Sequence, residues 1–156
     1  MTASEYSIRV ARKNDLVFVA ERMRAPDVAE VWASCHLTPL AALRASRRAS
    51  RNMTFVGLAN DTPVCVWGIA PGTLLNPVAR PWLLGTDEMY SHSRAFLRHS
   101  RRMVEILKQA FPWMGNYVDA RNTAAIRWLQ WLGFSVYYPA PHGMEQMPFH
   151  YFEMRS

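Results

Sequence analysis

The sequence predicts one α/β domain, a mixed central sheet of about six to seven strands flanked by helices, and three observations carry that expectation. Hydrophobic periodicity switches repeatedly between two residues and 3.6 residues, in segments of strand and helix length. Residues 114–134 contain a strand, a helix start, an apolar helix, a glycine stop and the beginning of another strand. Finally, 156 residues of which 50% are hydrophobic suit a single folded unit over 1–156, with no repeat, linker or low-complexity tail.

Taken in order, residues 6–12 alternate polar and apolar and read as the first strand. Asn14 or Asp15 caps a helix to about Met23, packed on Leu16, Val17, Val19 and Ala20. Pro26, with Asp27 in the first turn, opens a second helix whose apolar face is Val28, Val31 and Trp32. It ends at His36 or Leu37. Thr38 and Pro39 start a third, ending near Ser50, with Leu40, Ala41 and Leu43 inside. Residues 53–59 and 63–70 are two strands joined through Asn60, Asp61 and Thr62, good turn chemistry for a hairpin. A proline-rich loop, 71–81, leads to a short apolar strand at 82–86 and a polar joint at 87–91. The longest helix follows, about residues 93–110. Phe96, Leu97, Met103, Val104, Ile106 and Leu107 face inward, and Arg94, Arg98, Arg101, Arg102 and Lys108 face out.

Residues 116–120 are the next strand. The Asn122 amide then caps a helix carried by Ala125, Ile126, Trp128, Leu129 and Leu132, and Gly133 ends it in a left-handed conformation. Residues 134–138 form a strand, 139–148 a loop and 149–154 a final strand.

Composition excludes several classes. There is no run of eighteen apolar residues, so no membrane span is expected. The first seven residues lack a basic then apolar signal-peptide pattern. Cys35 and Cys65 stand far apart without a metal-ligand spacing and read as reduced, buried thiols. The five histidines form no paired motif, so no metal site is expected. Six tryptophans read as core and core-edge packing. A net charge of +6 and a pI of about 9.8 suit nucleic acid or a phosphate-rich cofactor, and equally a solubility habit. The basic residues concentrate at Arg44, Arg47, Arg48 and Arg51, spaced to share a helix face. Such a face suits phosphate, an acidic partner, or plain solvent.

The spacing from Asn122 through Ala125, Ile126 and Arg127 to Gly133 and Phe134 resembles the last motif of the GNAT (GCN5-related N-acetyltransferase) superfamily. That resemblance implies a GNAT-like, acyl-CoA N-acyltransferase fold, with one extra helix early in the chain. Ala29-Glu-Val-Trp32, Pro81-Trp-Leu-Leu-Gly-Thr-Asp87, Arg94-Ala-Phe-Leu97 and Val118-Asp-Ala-Arg-Asn122 together resemble the phage internal virion protein A family, itself GNAT-like in outline.

In catalytic members of the superfamily, a glycine-rich turn lets backbone N–H groups at a helix N-terminus hold the coenzyme A pyrophosphate. The matching stretch here, 84–94, has only Gly85, and it places Asp87 and Glu88 where phosphates would lie. Leu129 occupies the position where active members often carry a tyrosine acid. Tyr117, Tyr137, Tyr138 and His142 are substitutes that the spacing does not distinguish, and Glu88, His92 and His99 lie near the expected cleft. No catalytic residue is therefore assigned.

The resemblances imply a phage virion-associated or assembly protein that has lost ordinary acetyl transfer. It would need no cofactor, would partner phage structural proteins, and would reside in the virion or host cytoplasm. The alternative is an N-acetyltransferase using acetyl-CoA at a non-standard site formed by Leu84, Gly85, Thr86, Arg94 and Asn122. A second alternative is a nucleic-acid-binding module that holds DNA through Arg44, Arg47, Arg48 and Arg51.

Overall fold

The computed structural model describes residues 5–156, with Ser93 described by its backbone alone. The expectation for the first four residues lies outside the described part. Strands β1 (Tyr6–Val10), β2 (Thr54–Ala59), β3 (Thr62–Ala70) and β4 (Arg80–Gly85) form one antiparallel sheet in that order. A second sheet runs β5 (Trp113–Asp119), β8 (Met147–Arg155), β6 (Ser135–Val136), and β7 (Ala140–His142) also pairs with β8. Helices α1 (Lys13–Glu21), α2 (Ala25–Cys35) and α3 (Pro39–Ser50) come between β1 and β2. Between β4 and β5 lie α4 (Glu88–Ser91) and α5 (Ser93–Ala110), and α6 (Thr123–Leu132) follows β5. The named ladders are antiparallel, while the two sheets meet through a parallel bridge between Ala79 and Met114.

Among the described residues three buried clusters hold these layers together, the third around Val64, Cys65, Met89 and Phe96. Leu16, Val19, Leu43, Val56 and Val66 bury α1 and α3 against the first sheet. Ile69, Met114, Leu107, Leu129 and Phe152 do the same for α5 and α6 over the sheet junction. Each fully buried aliphatic side chain of this kind contributes about 1.5–3 kcal/mol. The hairpin turn is as expected: Asn60 and Asp61 both have positive φ, 49° and 65°, the twist that joins β2 to β3 in two residues. Gly133 also stops α6 as expected, with φ 103°, and the N–H groups of Gly133 and Phe134 close on the Gln130 and Leu129 carbonyls. Gly133→Ala is expected to cost about 1–2 kcal/mol, read as a lower urea midpoint at unchanged m-value.

Several local expectations need correction. Asp15 is not a cap but the third residue of α1. It accepts the Arg12 N–H at 2.7 Å and a two-pronged bond from Arg9 at 2.7 and 3.0 Å. Asn122 precedes α6 without capping it by its side chain, because its amide is drawn to a buried carboxylate described below. Residues 87–91 are not a plain joint: Met89 is buried, and α4 forms to place it there. Residues 140–142 and 147–148 belong to strands because β8 is long enough to pair with β5, β6 and β7. The described strands thus number eight, not six to seven. Trp32 and Ile106, expected inside, are 51% and 52% exposed, at the margins of their helices' packed faces. Cys35 is exposed and Cys65 buried, both free.

Candidate functional site at the split between the sheets

β4 and β5 touch at one end and then part. Gly115 N–H donates to the Ala79 carbonyl at 2.9 Å, Ala79 N–H to Trp113 at 3.0 Å, and the Asn116 amide reaches the Pro81 carbonyl at 3.0 Å. Beyond that point the facing backbone N–H groups need other acceptors, because an unpaired buried donor is costly. Helix α2 supplies them. Asp27 accepts the Gly85 N–H of β4 at 2.9 Å, and Glu30 accepts the Asp119 N–H of β5 at 2.7 Å. Three residues apart, the two carboxylates share a helix face, so one helix pins both diverging strands.

The network around this pin is dense. Arg24 is 4% exposed and Asp27 2%, and they form an ion pair at 2.8 Å. The Arg24 N–H also donates to the Gly85 carbonyl at 2.9 Å. The Asn122 amide donates to Asp27 at 3.3 Å, while its own carbonyl oxygen, though buried, has no partner in the protein. Asp119 carries Arg121 on its carboxylate at 2.7 Å. Burial pushes the Asp27 carboxyl above its ordinary value, against Arg24 and the Gly85 N–H. Burial pushes Glu30 further, up to about 8, against the Asp119 N–H and with the charges of Asp27 and Asp119 adding to the rise. Asp119 differs: burial raises it, but Arg121 more than offsets this and holds it low.

Asp27, Glu30 and Asn122 open onto a cavity of about 850 Å³ whose wall is mainly apolar, including Phe96, Leu97 and Trp128. That volume suits a small-molecule ligand. The Trp128 indole N–H is buried without an acceptor.

The structure brings together only part of the site expected from sequence. Gly85 and Asn122 converge on Asp27. Leu84 is a core residue of β4. Thr86 donates both its N–H and its hydroxyl to the Val64 carbonyl, at 2.9 and 3.0 Å. Arg94 lies exposed in the first turn of α5. This arrangement does not fit a coenzyme A pyrophosphate held in the glycine-turn manner. The Gly85 and Thr86 N–H groups are already taken, and a Cβ on Gly85 would meet the Met89 sulfur at 3.0 Å, so no open cradle lies above that glycine. Asp87 and Glu88 stand exposed beside it.

Leu129, at the position where active members often carry a tyrosine acid, is buried in the second core. Tyr117 stacks on His142 with centroids 3.7 Å apart, and both line the cavity. Tyr137 donates to Glu153 at 2.8 Å, and Tyr138 is 95% exposed. His99 packs on Tyr6, and burial, with Arg98 and Arg102, holds its pKa down. The Cys65 thiol, pushed up by burial to about 11, stays protonated and is no nucleophile. Among the described residues no cluster of histidine, cysteine and carboxylates could hold a metal ion, and no helix is long and apolar enough to cross a membrane.

Sequence reading missed Arg24, Asp27 and Glu30 as site residues. Asp27 was legible only as a helix-start residue, and Glu30 only inside a resemblance. Their one available signal was the i, i+3 spacing of two acids on a helix with an apolar face.

No family model and no curated protein matches this chain. Solved structures do. The ribosomal-protein-alanine N-acetyltransferase of Brucella melitensis superposes with a TM-score of 0.70 at 14% identity, over 96% of this chain and 99% of that one. The ribosomal-protein-S18-alanine N-acetyltransferase of Escherichia coli gives 0.61 at 20% identity, over 97% and 94%. The yncA protein of Salmonella typhimurium, with its cofactor acetyl-CoA, gives 0.63 at 14%, over 96% and 93%. At these identities the likeness establishes the fold alone: the chain shares the α/β architecture of these acetyltransferase structures.

Proposed function

We propose that this chain is an N-acyltransferase acting on an amine, with Glu30 as the group that takes the amine proton. The observation that carries the reading is the Glu30 carboxyl itself, fixed on the Asp119 N–H at 2.7 Å and lining the cavity at the split. An amine enters mostly as an ammonium ion and must lose a proton before it can attack. Asp27 is neutralised by Arg24, which leaves Glu30 as the acceptor. Burial pushes its pKa up to about 8, which makes it a stronger proton acceptor than an ordinary carboxylate, as removing a proton from an ammonium ion requires. The alanine N-acetyltransferases among the fold neighbours point the same way. Acetyl-CoA, the donor the fold implies, finds no glycine cradle at residues 85–94.

Calorimetry and thermal shift with acetyl-CoA test the reading. Saturation at about one hundred times the Kd stabilises by about 2.7 kcal/mol, a rise in Tm of several degrees. No shift at millimolar ligand removes it.

A second reading has its own observation. The Gly85 and Thr86 N–H groups are consumed within the protein, and Leu129 is buried where an acid would stand. A non-catalytic assembly protein resembling internal virion protein A, partnered with phage structural proteins in the virion or host cytoplasm, would need neither. The same titration separates the two.

A further inference from the structure

The opposite side of α3 carries a feature that acyl transfer does not use. α3 turns Ala42, Ala45, Ser46 and Ala49 toward the central cavity. Its other face, with α1, forms a separate open cleft of about 650 Å³ lined by Lys13, Leu16, Val17, Arg44, Arg47, Arg48 and Arg51. Lys13, Arg44, Arg48 and Arg51 are exposed and Arg47 partly so. Among the described residues none of these five cations has an acidic partner. The nearest acid in sequence, Asp15, is buried and held by Arg9. Like charges at i, i+3 and i, i+4 destabilise a helix when nothing answers them, so this face is complementary to an outside anion.

We propose that the α1–α3 cleft binds the sugar-phosphate backbone of double-stranded DNA, as a function separate from the cavity. From Arg44 to Arg51 the helix rises by roughly 10 Å, a reach that takes several phosphates and not one. The cleft is open and has no buried polar group to enclose a small anion. Its lining contains no Asn, Gln, Asp or Glu, so it has none of the side chains that read adenine or cytosine edges, and its cations are spread over an open cleft as phosphate contacts require. Contacts to phosphate carry no sequence information, so the binding proposed is to the backbone of any duplex. Guanidinium forks grip phosphate oxygens in pairs, and Leu16 and Val17 form the floor between them.

Fluorescence anisotropy of the full chain with a duplex of about 20 base pairs tests this. Affinity is expected to fall as salt rises from about 50 to 200 mM, with a log–log slope near −4 for four to five phosphate contacts. Arg44→Ala with Arg48→Ala should reduce the magnitude of that slope by about 2, alike on unrelated sequences. Arg44→Lys with Arg48→Lys should retain most binding. All these side chains are surface cations, and an unchanged Tm and circular dichroism spectrum would show that the variants fold. Undetectable binding at low salt, binding indifferent to salt, an unchanged slope in the alanine pair, or a preference for polyglutamate over duplex would each overturn the proposal. Retained acetyl-CoA binding by the alanine pair would show that the two sites are independent.

Discussion

Glu30→Gln is expected to lower turnover of an α-amine acceptor by about 100-fold or more, the usual range for losing a positioned proton acceptor, and to raise stability at alkaline pH. Glutamine keeps an oxygen for the Asp119 N–H but cannot take a proton. In the parent, the rate should climb as Glu30 ionises and level off above about pH 8; in the variant that limb should vanish. The stability effect has its own sign. The folded carboxyl titrates near 8 against an ordinary 4.5, so between those values the native state holds a proton that the unfolded chain has released. Unfolding free energy therefore falls as pH rises through this window, and the loss is complete above it. Because glutamine does not titrate, the variant's advantage should grow from about pH 5 to 8 and then hold. Glu30 is half-buried at the cavity wall, so the pH-dependent part of the gap between the two proteins is the quantity that reads its shift. Urea melts across pH 5–9 measure it, and a gap between the two proteins that stays constant with pH would show that Glu30 is not a shifted carboxyl at all.

Asp27→Ala is expected to be the most destabilising single change in the polar network, by about 3–5 kcal/mol. It strands three groups together: the Arg24 guanidinium, 4% exposed, the Gly85 N–H and the Asn122 amide. An uncompensated buried charge costs more than the pair contributed, since the desolvation penalty remains without the attraction. Asp27→Asn should be milder, because an amide oxygen can still accept from Gly85. Adding Arg24→Leu to Asp27→Ala should recover much of the loss, because removing the stranded cation removes the penalty. If the double variant is no more stable than the single one, the cost lies in opening the split and not in the charge. Chemical denaturation of the four proteins decides between these outcomes.

The two predictions rest on one device, a helix that satisfies backbone donors where a sheet divides. Its parts differ in how far they could be read in advance. The helix itself was legible, since Pro26 and Asp27 mark its start. Its role was not. A pair of acids on a helix ordinarily faces water, and nothing local tells that Gly85 and Asp119, 58 and 89 residues away, will present N–H groups to it. Asn122 shows the same gap in a sharper form. Its type and position fit a side-chain cap, yet its amide nitrogen donates to Asp27, and the side-chain oxygen that would cap the first turn makes no bond to it. Cys35 and Trp32 were misplaced for a similar reason. An apolar residue on a helix face is buried only if another element arrives to cover it.

What the sequence determines by itself is the set of local choices: the Asn60-Asp61 turn, the Pro39 and Gly133 boundaries, the long α5 and the alternation that makes β1. Each depends on backbone conformation and periodicity within a few residues. The tertiary structure alone decides where the sheet opens, which acids sit in the opening, and that Glu30 titrates near 8 while Asp119, its hydrogen-bonded neighbour, stays ionised. The physical reason is desolvation. A carboxyl's charge is set by how much water the rest of the chain removes from it and by whether a cation takes the water's place, as Arg121 does for Asp119 and nothing does for Glu30 among the described ion pairs.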